Sequence, residues 1–313
     1  MTKAAARLAN TDNQITTIDF SLASRWINFA QVSASSVQAY EKGIKRLAEY
    51  FSAANITAPT RADLISYRDY LGRKYQPTTA NLYLTTAKLF LGFLHVEGFI
   101  SVNPAEHLKG FKISSNHKKA ALSVEQTKAV IKNFDADKLQ GIRDKAIYAL
   151  MTACGLRCVE VQRANISDLY KVGDVYRLQV QGKGHTQKDS AVNVPAGVVK
   201  LINAYLSARG VVEVDAPLFA SLSNRNFGGR LTTYSISRII KTALRKSNLD
   251  SPRLTAHSLR HSAATVALKN GATLREVQQL LRHVNIAVTT IYLHELDALQ
   301  NQASNLAASA FGF

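Results

Sequence analysis

Six side chains in the second half of the chain have the right chemistry to act together on a phosphate: Arg157, Lys183, His257, Arg260, His283 and Tyr292. They stand in tight local patterns: Gly155-Leu156-Arg157 with Glu160, Gly182-Lys183-Gly184, His257-Ser258-Leu259-Arg260-His261, and Leu281-Arg282-His283 with Tyr292 nine residues on. Several cations directed at one anion, beside a phenol able to serve as nucleophile, are what phosphoryl transfer needs. Positioning and charge stabilisation supply most of that catalysis. His257 and Arg260 lie three apart and share one face of a helix, within its first turn if Thr255 is the N-cap. Free backbone donors and the positive dipole end make such a turn a seat for phosphate. A single His-x-x-Arg or Gly-Lys-Gly is weak by itself. The weight lies in the combination.

The bulk composition agrees. The 313 residues carry 39 Lys and Arg against 22 Asp and Glu, a formal charge of +17, with a pI near 9.9. That balance suits a polyanion. The excess is spread, with 15 cations against 8 acids in residues 1–119 and 24 against 14 in 120–313, so both halves are expected to face the same partner. No apolar run approaches the roughly 20 residues of a membrane span, and the first residues lack a signal-peptide core. A soluble cytoplasmic protein is therefore expected. Cys154 and Cys158, the two cysteines, form no disulfide framework. They could hold half a metal site, but without further ligands nearby they read as small core residues.

Helical periodicity outlines the elements that must position the six. Val37, Tyr40, Ile44, Leu47 and Phe51 form one buried stripe, with Lys42, Lys45 and Arg46 on the other side. Thr60 with Asp63 signals the start of a second helix, and a third is expected from about Thr78 to Gly98. Asn103-Pro104 and the basic stretch from Lys112 to Lys119 interrupt the pattern, which marks a linker whose Lys118 and Lys119 suit a phosphate backbone. Beyond it, Ser123 to Gln126 reads as a capping box, and Leu139 to Thr152 as a buried helix stopped by Gly155. Tyr176 to Val180 alternates as a half-buried strand with Ala191 to Val194 pairing back, which places Gly182 to Asp189, and Lys183, in a hairpin loop. Helices are expected at Val198–Leu206, Ser235–Leu244, Ala256–Lys269 and Leu274–Arg282, the last behind the box Thr273 to Glu276.

Taken together, Gly155-Leu156-Arg157 with Glu160, Gly182-Lys183-Gly184, His257-x-Leu259-Arg260-His261-Ser262, Asn270-Gly271-Ala272 and Leu281-x-His283 with Tyr292 resemble the tyrosine recombinase (phage integrase) family, most closely its two-domain Xer-type members. The resemblance covers about residues 15–310. It implies a mainly α fold with a small antiparallel sheet in the second domain. The expected division is a flexible start at 1–14, a SAM-like core-binding domain of four to five helices at 15–108, a basic linker at 109–120 and a mixed α+β catalytic domain at 121–313.

It also implies the roles. Tyr292 is the nucleophile that makes a 3′-phosphotyrosyl link, and Arg157 and Arg260 clamp the non-bridging oxygens. His257 is the base towards the phenol, His283 a donor to phosphate, and Lys183 the acid for the leaving 5′-oxygen, with Lys188 a rival in the same loop. Glu160 is a supporting group that orients its neighbours, and His261 supports the helix. The partners implied are double-stranded DNA with specific core sites, a homo-tetramer in the synaptic complex, and accessory proteins, with no membrane. Neither metal nor other cofactor is implied: the cations replace a Mg²⁺ clamp, no acidic cluster could hold one, and the phosphotyrosyl link conserves the bond energy.

The chain departs from the family pattern where Arg282 replaces the glycine common before the histidine, a side chain either contacting phosphate or pointing outward. Cys154 and Cys158 stand where hydroxyl and aliphatic residues are usual. No arm-binding domain is expected before residue 15, which favours a simple core-site recombinase. Leu296, Leu299, Ala303, Leu306, Ala307 and Ala310 make a last apolar stripe suited to docking, in cis or on a neighbouring subunit. Two other readings compete: a type IB topoisomerase-like relaxing enzyme and a catalytically inactive DNA-binding protein. The helical first domain and short chain weigh against one, and the presence of all six groups against the other.

Overall fold

The computed structural model describes residues 17–113, 120–182, 184–211, 213–293 and 301–312. The chain forms two compact units, Met1–Asn116 and His117–Phe313. Residues 1–16 and 114–119, and with them Lys118 and Lys119, lie outside the described residues.

The first unit is helical: α1 (Ala23–Phe29), α2 (Ala34–Ala53), α3 (Arg61–Lys74) and α4 (Pro77–Val96), preceded by a 3₁₀ turn at Phe20–Leu22. The caps are local. Thr60 Oγ1 accepts from the Asp63 N–H at 3.3 Å, Asp63 Oδ2 accepts from the Thr60 N–H at 2.8 Å, and Pro77 opens α4 at a position whose N–H needs no partner. The stripe of α2 buries Ile44, Leu47 and Phe51 against Leu84, Phe90 and Leu91 of α4. Gly43 sets how close these helices come, since a Cβ there would lie 2.6 Å from the Thr86 side chain. The short α1 has no sequence signal of its own. It exists because Trp26 and Ile27 are buried, with Trp26 stacked on Tyr40.

The second unit contains α5 (Val124–Lys132), α6 (Leu139–Cys154), α7 (Cys158–Arg163), β1 (Leu169–Val172), β2 (Val175–Val180), β3 (Ser190–Val194), α8 (Ala196–Arg209), α9 (Thr233–Lys246), α10 (Ala256–Lys269) and α11 (Leu274–Leu281), with a terminal helix at Ala303–Phe311. The three strands form an antiparallel sheet in the order β1-β2-β3, with Leu178 opposite Leu169 on one side and Val192 on the other. β1 escapes a reading by alternation because its burial runs from half-buried Leu169 to three exposed residues. α6 is the central element: Ala146 to Met151 are all buried, and it packs on α8 and α10. Both expected boxes form, with the Ser123 N–H donating to Gln126 Oε1 at 2.9 Å and the Thr273 N–H to Glu276 Oε2 at 2.7 Å. None of the described helices is long and apolar enough to cross a membrane.

Candidate active site

Gly155 ends α6 in the left-handed region, at φ 58°, and a Cβ there would lie 2.9 Å from Leu281. Only glycine meets both demands without strain. The turn delivers Arg157 to the N-cap of α7, where its backbone N–H donates to Glu160 Oε2 at 2.7 Å and its Nη1 to Glu160 Oε1 at 3.0 Å. Glu160 is 1% exposed and also receives Arg282, from Nη2 at 2.8 Å and Nε at 3.3 Å. Arg260, on the first turns of α10, is 1% exposed; its Nη1 donates to the Gly155 carbonyl at 2.6 Å and its Nη2 to that of Leu281.

Two guanidiniums, those of Arg157 and Arg282, thus share one carboxylate, whose charge also acts on Arg260. Burial acts to raise the Glu160 carboxyl, but Arg282 and then Arg157 hold it below the ordinary carboxylate value. Burial first, then Arg157 and Arg282, push Arg260 down to about 9. Arg260 therefore keeps its charge at neutral pH while being poorly compensated, the condition of a site that gains from an incoming anion.

His283 follows α11. Its N–H donates to the Gln278 carbonyl at 3.1 Å, the Gln278 side chain donates back to its carbonyl at 3.0 Å, and Nδ1 lies 2.9 Å from Thr289 Oγ1. Burial first, then Arg260, Arg157, Arg282 and His257, push the imidazole down to about 4, so it is neutral at pH 7. Tyr292, on a helical turn at 290–293, is 4% exposed and joins Ala264, Val277 and Leu281 in a small cluster apart from the main core. The ring of His261 meets Tyr292 edge-on at 5.2 Å and that of exposed His257 at 4.8 Å, so a line of rings runs from solvent to the phenol.

The fold therefore brings together Arg157, His257, Arg260, His283 and Tyr292, whose charges act on one another. Lys183 lies outside the described residues; its neighbour Gly184 has φ 85°, and Arg163 Nη1 holds the Gly182 carbonyl at 2.8 Å. The rival Lys188 is bound to Asp168, at 2.6 and 2.8 Å. Of the two expectations for Arg282, the outward side chain needs correction: it turns inward, 9% exposed, because the buried Glu160 carboxylate and nearby carbonyls take its donors. His261 does more than support its helix, since its ring touches Tyr292. On α2, Lys42 and Lys45 are exposed, and Arg46 pairs with Glu49 at 2.6 Å. Cys154 is buried, its thiol on the Asn193 carbonyl at 3.5 Å, and burial pushes it up to about 12. Sequence reasoning missed Thr289, fully buried against His283; a threonine six residues after a histidine gives no periodic signal.

Residues 121–298 match the model of the phage integrase family, and residues 27–98 that of the phage integrase N-terminal SAM-like domain. A tyrosine recombinase XerC of Chlamydia muridarum is 33% identical over 239 residues, covering 75% of this chain and 74% of the relative. The XerC of Thermodesulfovibrio yellowstonii is 29% identical over 274 residues, 84% of this chain and 86% of the relative. Among solved structures, XerH site-specific recombinase bound to a palindromic difH substrate, a post-cleavage complex, aligns with a TM-score of 0.74 at 19% identity, covering 92% of this chain and 85% of that one. A lambda integrase tetramer bound to a Holliday junction aligns at 0.68 and 15%, over 89% and 78%.

Proposed function

The chain belongs to the phage integrase family and is a tyrosine-type site-specific recombinase, and we propose that Tyr292 is its nucleophile, attacking a DNA phosphate held by Arg157, Arg260 and His283. The observation that carries this reading is the surplus of cations around one carboxylate, Glu160, beside that phenol. Each terminal guanidinium nitrogen has two N–H groups, so Arg260 keeps donors for a phosphate while bonded to its carbonyls. With the Thr289 hydroxyl donating to Nδ1 of neutral His283, the Nε2–H is left to donate to a phosphate oxygen.

In the step itself, the Tyr292 Oη–P bond forms as the P–O5′ bond breaks. The phenol proton passes to His257, and Lys183 protonates the leaving 5′-oxygen. The 3′-phosphotyrosyl link conserves the bond energy, so a 5′-hydroxyl from a second duplex reverses the step and exchanges strands through a Holliday junction. Tyr292 leaves its packed seat before in-line attack. Residues 15–108 form the core-binding domain, with Lys42, Lys45 and Arg46 on the phosphate backbone and Lys118 and Lys119 crossing it from the linker at 109–120.

The working assembly is a homo-tetramer on two core sites. In support, the terminal helix has no buried residue and exposes Leu306 and Phe311 at 69% and 76%, while the same unit carries an apolar groove of about 630 Å³ lined by Ile131, Ala149, Val198, Val266 and Leu280. The helix of one copy docks in the groove of the next. Deleting residues 300–313 is expected to spare binding to one site, by gel shift, and to weaken pairing of two sites; full-rate recombination by the truncated chain counts against the docking.

The decisive test uses duplexes recovered from a random pool by retention on Tyr292→Phe protein. A nicked form of such a duplex should trap a covalent complex with the native chain, and Tyr292→Phe should bind it without forming one. Absence of any covalent product with the native chain removes the reading, and relaxation of plasmids lacking the site transfers it to a topoisomerase.

A further inference from the structure

Arg282 stands between two parts of the site that belong to different elements. Its backbone is left-handed, φ 54° and ψ 46°, a conformation that costs any residue with a Cβ some strain. Glycine would occupy it freely. The side chain at this position makes five polar contacts: Glu160 twice, at 2.8 and 3.3 Å, and the carbonyls of Leu280 at 2.6 Å, Gly155 at 3.3 Å and Cys154 at 3.5 Å. Glu160 in turn holds both the backbone N–H and the guanidinium of Arg157. The residue after Arg282 is His283.

We propose that Arg282 is a positioning residue for the phosphate site, a buried fork that locks Glu160, and through it Arg157, to the turn that carries His283. The inference rests on the reading of this cluster as the phosphate site. Without the fork, Glu160 retains only Arg157 among its guanidinium partners, and the α6–α7 turn and the end of α11 lose a direct tie from Arg282 to the Gly155 carbonyl. Arg260 still bridges them through its own carbonyl contacts, so what Arg282 adds is the aim of Arg157 and His283 rather than the existence of the fold. A planar fork is suited to this task, because its donors are fixed relative to one another and a carboxylate can accept two of them. A lysine offers a point charge without that geometry.

The charge has a second effect. The charges that act on the His283 ring are those of Arg260 and His257 from α10, Arg157 from the start of α7 and Arg282 from its own turn; Arg177, Arg275 and Glu276 line the same cavity, and the Thr289 hydroxyl lies 2.9 Å from Nδ1. Of the three guanidiniums, Arg282 alone adjoins His283 in sequence, so its removal takes one like charge away and lets the imidazole bind a proton more readily.

The experiment compares Arg282→Gly, which suits the backbone, with Arg282→Lys, which keeps the charge and loses the fork. Single-turnover formation of the covalent complex on the selected nicked duplex is measured at saturating protein, alongside the dissociation constant and the titration of the His283 ring by NMR. Arg282→Gly is expected to slow cleavage about tenfold or more with binding changed less than about twofold, and to move the His283 titration up towards the ordinary 6.5 or so. Arg282→Lys should keep the low titration and still cleave slowly. If Arg282→Gly does not fold, Arg282→Gln carries the same expectations as the uncharged variant. Native-rate cleavage by the uncharged variant overturns the proposal, as does full recovery by lysine, which would reduce Arg282 to a charge. A native chain that forms no covalent complex at all overturns the function itself, a separate outcome.

Discussion

Arg260 and Tyr292 are both buried in the second unit, at 1% and 4% exposure, yet they are held by different forces. Arg260 is bonded to two carbonyls 105 and 21 residues away, inside a network in which Arg157 and Arg282 also grip Glu160. Removing Arg260 takes its donors from both carbonyls, at about 1–3 kcal/mol for a buried polar group left unsatisfied. Tyr292 is seated in a small cluster with Ala264, Val277 and Leu281 and meets the edge of His261. Burial of an aromatic ring contributes about 1.5–3 kcal/mol, and an edge contact about 0.5–1.5 kcal/mol more. The charged frame is therefore fixed by directional bonds, while the ring of Tyr292 is seated against apolar side chains, which suits the proposed roles of phosphate holder and nucleophile. On the proposed function, this burial keeps the phenol of Tyr292 out of solvent until DNA arrives.

The contrast can be broken most sharply at Arg260. Arg260→Ala should lower single-turnover cleavage by about 10²–10³-fold or more, as loss of one preorganised hydrogen-bond donor does elsewhere. It should also lower the urea midpoint, since the Leu281 carbonyl loses the Arg260 donor and the Gly155 carbonyl keeps only the longer bond from Arg282 at 3.3 Å. Cleavage at the native rate would show that the frame does not hold the phosphate.

A smaller effect is expected from pH. His283 is pushed down to about 4 in the folded chain, against about 6.5 when unfolded. Between those values the unfolded chain binds more protons, so stability is full above about 6.5, falls as pH drops through this window and levels off below about 4. The melting temperature should thus decline from pH 7 to pH 5 in the native chain and decline less in His283→Gln. Equal declines in both would place the pH dependence elsewhere.

The mildest perturbation is Val277→Ala, which removes apolar contact from the seat of Tyr292 and leaves the charged frame intact. At about 0.8 kcal/mol per buried CH₂ the cost is roughly 1.5–2 kcal/mol. Nitration of Tyr292, mapped by mass spectrometry on the chain without DNA, should become faster by about tenfold, with nitration of buried Tyr148 in the main core unchanged. If Tyr292 reacts no faster, its seat does not depend on this packing.

What could be read from the sequence was local. Thr60 with Asp63, Ser123 with Gln126 and Thr273 with Glu276 mark helix starts because each pair closes a ring of bonds three residues apart. Gly155 marks a stop because the left-handed conformation favours glycine. Helix α10 runs from Ala256 to Lys269 as its periodicity predicts, and the hairpin of β2 and β3 follows from alternation. The motifs also named Arg157, His257, Arg260, His283 and Tyr292, now found together, and Lys183, which lies outside the described residues. The short α1 and the exposed β1 were not legible, since seven residues give too little periodicity and an edge strand with one half-buried residue shows no alternation.

By itself, then, the sequence determined the helix starts and stops, the charge of the molecule and the identities of the groups that meet at the site. Their arrangement was decided by tertiary structure: Arg282 inward on Glu160 across 122 residues, Arg260 on the Gly155 carbonyl across 105, Thr289 behind His283 and Tyr292 in its apolar seat. The reason is physical. Caps and stripes arise from interactions within a few residues, whose energies the local pattern encodes. The direction of a buried arginine instead depends on which distant carboxylate or carbonyl the folded core places within reach, because an unpaired buried charge must find one.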